Sequence, residues 1–148
     1  MSFSDRISAA GIHVVGYAAA VLVASIVTII FVMAPAIVAT GFTQAVIDNA
    51  GRLLAFGLVA TGSMALPGFV FTVWLAGYFG WNRWTLFALA GLADAFVALV
   101  ILQVYLGGML APELLLPCFP GGYAGGIAYW RATRSRWLAP TSPAPSKS

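Results

Sequence analysis

Charge is what this chain has least of. Its 148 residues carry seven Lys and Arg, four Asp and Glu and one His, so 7% are charged against 61% hydrophobic. Soluble domains carry about a quarter charged residues, so this chain cannot cover a water-facing surface. A single cysteine, Cys118, excludes an intramolecular disulfide and a multi-thiolate metal site. A single histidine, His13, excludes paired axial ligands to a haem. No nucleophile or acid stands at helical spacing from an orienting base, which argues against an enzyme. No cofactor, metal or nucleic-acid partner is expected. What remains is apolar, with a mean hydropathy of +0.97, and it assigns the chain to the lipid bilayer.

Crossing about 30 Å of hydrocarbon takes about 20 residues of helix. Four apolar stretches meet that length, over roughly 14–36, 53–79, 85–106 and 117–136. The connections between them are too short for a soluble domain. The expected fold is therefore all-α, a polytopic, antiparallel four-transmembrane-helix bundle occupying residues 1–138. Residues 139–148 are Pro, Ser, Thr and Ala with Lys147, and are expected to form a disordered cytoplasmic tail. The first stretch runs past the about 7–15 residues of a signal-peptide core, so it is expected to be retained.

The basic residues set the orientation. Arg6, Arg83, Arg131, Arg134, Arg136 and Lys147 share one side of a four-span bundle, whereas Arg52 stands alone on the other, near Asp48 and Glu113. Positive residues stay cytoplasmic, so both termini are expected inside, in the plasma (inner) membrane. Trp81, Trp84, Trp130 and Trp137, with Tyr78 and Tyr129, gather at the same end. Indole and phenol rings favour the headgroup layer, where an apolar body and a polar tip are both satisfied. Arg131, Arg134 and Arg136 are expected to meet anionic lipid headgroups as well as to enforce the topology.

Between the spans, residues 40–52 suggest a short interfacial helix ended by Gly51. Gly80-Trp81-Asn82-Arg83-Trp84 reads as a tight hairpin, and residues 107–113 as a short flexible connection. Pro117 and Pro120 are expected to start the last helix, where the first turn has no N–H to lose, after a lead-in over residues 113–116. A broken last helix lining a cavity is the alternative.

Asp94 is the one charge within the stretch 85–106. An ionised Asp at mid-bilayer costs roughly 2.5–3.5 kcal/mol on insertion scales, so its presence asks for partners. Counting depth at about 1.5 Å per residue brings Ser25 and Thr28 of the first span and Pro67, Gly68 and Thr72 of the second to its level. Pro67 lacks an N–H, so the Ser63 carbonyl loses its helical donor and a neutral Asp94 could supply one. Ser25, Thr28 or Thr72 could donate to an ionised Asp94 instead. Ala90, Gly91, Ala95 and Ala98 around it allow a neighbouring helix to approach. No Lys or Arg lies at matching depth, so a neutral, inward-facing carboxyl is expected. His13, with Tyr17 one turn on, is expected to be interfacial and solvated.

In the last span, Gly121, Gly122, Gly125 and Gly126 form two overlapping small-xxx-small pairs, a groove for close helix packing within the chain or against another subunit. They do not form a phosphate loop, since no strand precedes them and no Lys-Ser/Thr follows.

Two functions fit. One is a non-catalytic membrane protein that packs with itself or with a larger membrane assembly. The other is an oligomeric proton- or cation-coupled small transporter with Asp94 as the titrating group. Both share one topology, which reporter fusions test directly. A fluorescent protein fused after Ser148 is expected to fold on the cytoplasmic side, and a phosphatase inserted after Gly41 to be active on the far side. The opposite sidedness would overturn the charge argument.

Overall fold

A computed structural model describes residues 3–80, 82–105, 107 and 116–137, with the side chains of 3–9 and 135–137 undescribed. Five helices follow in order: α1 (Phe3–Thr40), α2 (Gln44–Met64), α3 (Leu66–Phe79), α4 (Trp84–Tyr105) and α5 (Cys118–Trp137). Trp81, most of the 107–113 connection, the lead-in at 113–115 and the tail with Lys147 lie outside the described residues, as do the Arg6 and Arg136 side chains.

The protein is all-helical, and two of its helices are apolar and long enough to cross a membrane: Ala10–Thr40 within α1, and Trp84–Tyr105. The α2–α3 pair adds a third if a bent pair is one span. These features describe a membrane protein.

Three expectations about element boundaries change. α1 does not stop near residue 36 but runs 38 residues through Pro35, about 57 Å at the usual rise. A proline so near a helix end disturbs only the last turns, and Gly41 then ends the helix with φ 70°. The short interfacial helix does not end at Gly51. It is the start of α2, whose N-cap Thr43 accepts a hydrogen bond from the Val46 N–H. A glycine inside a helix costs about 1 kcal/mol relative to Ala and does not by itself stop it.

The third change is the largest. The stretch 53–79 is not one helix but two, meeting at Ala65 with a bend of 50°. Pro67 stands in the first turn of α3, where its missing N–H and its ring are tolerated. Pro67 has no N–H to give the Ser63 carbonyl and its ring would crowd that carbonyl, so α2 ends just upstream.

α5 lies between α1 and α4, antiparallel to both. Its two glycine pairs face different helices. A Cβ added at Gly121 would strike the Thr28 hydroxyl and stand 2.8 Å from the Ala24 carbonyl oxygen, and one at Gly125 would stand 3.0 Å from that of Ala20. On the other face, a Cβ at Gly122 would lie 2.7 Å from the Ala95 Cβ, and one at Gly126 would strike the Phe87 carbonyl. Gly16, Ala20, Ala24 and Thr28 of α1 thus meet Gly121, Gly125, Tyr129 and Thr133 of α5, each row at four-residue spacing. Such rows lie along one helix face, which lets two backbones close over several turns. Thr133 and Ala88 are fully buried in these contacts.

α2 runs antiparallel to α1 along Tyr17, Val21 and Ser25 and buries no residue. α3 returns toward the core, where Ala76 packs with Phe87 and Tyr129.

Replacing Gly126 with Ala is expected to cost about 1–3 kcal/mol through overpacking, measured by unfolding in mixed micelles. Gly77, with open space around its Cα, is the control, where Gly77→Ala should be neutral or slightly stabilising. Equal effects at the two positions would sink the account of the seam.

Candidate functional site

The break in the second apolar stretch and the acid in the third come together. The Asp94 carboxyl rests against Gly68, and a Cβ added there would coincide with Oδ1. Only glycine leaves that space. Gly68 sits in the first turn of α3, whose N-cap Ala65 offers no side-chain hydrogen bond. First-turn N–H groups lack intrahelical partners and form the positive end of the helix dipole. Asp94 therefore brings a carboxyl from α4 against a helix N-terminus that has no acid of its own.

Magnitudes show what this arrangement does. An ionised Asp at mid-bilayer costs roughly 2.5–3.5 kcal/mol. A helix N-terminus returns about 0.3–1 kcal/mol, and up to about 2 in partly buried geometry. The second term offsets only part of the first.

Tyr17 completes the surroundings. Its hydroxyl donates to the Gly62 carbonyl at 2.5 Å, in the last turns of α2. Its ring packs on Phe69, the residue after Gly68, with centroids 4.5 Å apart. It also lies close enough to Asp94 for charges on the two groups to interact. Phe69 in turn stands edge-on to Tyr129 at 5.0 Å, and Phe87 lies 5.4 Å from that ring. The bend is thus wedged by aromatic side chains from α1, α3, α4 and α5.

Other expected partners lie elsewhere. Ser25 turns toward α2 at Gly57, and its buried hydroxyl has no hydrogen-bond partner among the described residues. Thr28 packs on Gly121. The Ser63 hydroxyl donates to its own helix, to the Val59 carbonyl at 2.6 Å. Thr72 is half-buried one turn beyond Gly68, and Pro67 is exposed. Among the described residues no hydrogen bond joins any of these to Asp94. The depth count gave the right level for Gly68 and Pro67 but could not say which face of α1 meets which neighbour.

At the basic end, two expectations about solvation change. His13 is half-buried, and its Nδ1 shares a 2.6 Å hydrogen bond with the Tyr129 hydroxyl. Tyr129 is only 3% exposed, so it belongs to the core and not to a headgroup belt. It lies on the face of α5 that α1 and α4 cover, which its place four residues after Gly125 already implies. Trp130 donates from Nε1 to the Asn82 carbonyl at 3.0 Å, tying the α3–α4 hairpin to α5. Arg131 and Arg134 are exposed on the same turns.

Tyr17→Phe keeps the ring and removes the bond to Gly62. It is expected to lower stability by about 0.5–1.5 kcal/mol, read by unfolding in micelles against Tyr78→Phe, an exposed control. Equal stability of the two variants would remove Tyr17 from the site.

The chain matches no family model, no curated protein and no solved structure.

Proposed function

We propose that the protein is a small multi-pass membrane protein, without catalytic chemistry of its own, that binds a proton or small cation at Asp94. In this reading it works as an oligomer and couples that binding to transport. Four spans are proposed, with α2–α3 as one bent span and α5 as the fourth, both termini cytoplasmic, in the plasma (inner) membrane.

The observation that carries the reading is the seat of Asp94 at a break in an apolar helix. Intramembrane acids face bundle interiors and mark ion or proton paths. Broken helices are where such sites are built, because their ends offer unpaired backbone groups and can move. The proposed topology is supported by the packing. α5 is antiparallel to α1 and α4, so Arg131 and Arg134 emerge beside the His13 end of α1 and the Asn82–Arg83 turn.

A second reading, packing with itself or with a larger membrane assembly, is favoured by α2. It leans on α1, buries nothing, and presents Phe56 and Val59 outward at 72% and 70% exposure. The glycine faces are occupied within the chain, so an oligomer would use α2–α3 or the outer face of α4.

Asp94→Asn separates the two. In proteoliposomes, proton or cation flux is expected to fall to the level of protein-free vesicles, with expression and oligomeric state unchanged. Flux equal to the unsubstituted protein, or no flux from either, would leave the packing reading.

A further inference from the structure

We propose that the ligand of Asp94 is a proton and not a metal cation, and that its uptake releases the first turn of α3 from α4, changing the bend at Ala65. This rests on the reading that Asp94 is the ligand-binding group, and it names the ligand and the moving part.

The contact between the carboxyl and Gly68 has no space in it for an ion. A cation on the carboxylate would also face the positive end of α3, which opposes it. The Tyr17 hydroxyl and the Gly62 carbonyl are bonded to each other. Metal cations take about six oxygen ligands, whereas a proton needs only the carboxylate oxygen it binds.

The consequence for the helix follows from the same contact. An ionised Asp94 attracts the first turn of α3, and a protonated one has lost that attraction. The turn's other hold is Phe69, packed against the core formed by Phe87 and Tyr129. Ala65 gives no side-chain cap, Pro67 has no N–H, and Leu66, Pro67 and Val70 are exposed. α3 is anchored at its other end, where Ala76 packs with Phe87 and Tyr129. Tyr17 holds the last turns of α2 to α1. Movement on protonation is therefore expected at the break itself, with Phe69 as the pivot.

The ionisable groups around Asp94 are few. α1 brings Tyr17, a neutral phenol within electrostatic reach of it, and His13, bonded to Tyr129 of α5. α5 also brings Cys118, half-buried in its first turn. α3 brings only Tyr78, exposed near its far end. On α2, Asp48 and Arg52 lie at the opposite end of the helix from the break.

The test places spin labels at Val70 of α3 and Val97 of α4, both exposed, in the full chain carrying Cys118→Ser and reconstituted in lipid. Moving from alkaline to acidic buffer is expected to lengthen the label distance by roughly 3 Å, about half the rise of a helical turn. Asp94→Asn should hold the long distance in both buffers. Gly68→Ala, which puts a methyl where the carboxyl rests, should do the same. An unchanged distance in the unsubstituted site, or a pH shift that survives Asp94→Asn, would overturn the proposal. So would a shift on exchanging choline for sodium at constant pH, which would make the ligand a metal cation and leave the proposed function standing. The buffer and sodium comparisons need no substitution at the site, so a misfolded variant does not spoil the result.

Discussion

The approach of α5 to two helices at once is the constraint on which the other contacts depend. Water provides no drive for helix association within hydrocarbon, because lipid tails are as apolar as leucine. What holds helices together there is dispersion between atoms in close contact, and that falls off within an ångström of optimal distance. Gly121 and Gly125 let the α5 backbone reach α1, and Gly122 and Gly126 let it reach α4. Because the pairs are offset by one residue, they point about 100° apart around the helix. One short motif thereby fixes the positions of three helices. Tyr129 and Thr133 continue the α1 row, which is why a tyrosine near the basic end of the chain is buried.

The bend between α2 and α3 follows from a different cause and has a different cost. Pro67 forbids a continuous helix, and the freed end of α3 then lacks a local cap. Asp94 rests against that first turn, on the one residue type that leaves room for it. Neither feature makes sense alone. A broken helix in lipid exposes unsatisfied groups, and a solitary carboxylate in lipid is expensive. Together each reduces the cost of the other, although not completely.

Much of this was legible in the sequence, and the remainder was hidden for physical reasons. Hydropathy gives α4 to within a residue at its start, because lipid demands a nearly uninterrupted apolar run. It misplaces the ends of α1, because helical backbone continues past the hydrocarbon and apolarity marks only the part inside. The glycine motif announces close packing, but a periodic pattern shows that a face is small without naming the helix that covers it. Pro67 announces a disturbance, yet kink and break have the same sequence signal. What decides between them is the tertiary context, here Asp94 and Phe69. The role of Tyr17 is hidden because the sequence shows depth along α1 but not direction around it.

The helix that organises the bundle is also the last of the five in chain order. Ribosomes deliver α1 through α4 first, and until α5 enters, the small-residue faces of α1 and α4 have no mate in their own chain. α1 and α4 are parallel, and the close backbone contacts of each are with α5. Docking of α1 and α4 onto their shared partner therefore follows their own insertion and waits on the twenty residues of α5. During that interval the nascent protein displays two unoccupied grooves to every other helix in the bilayer.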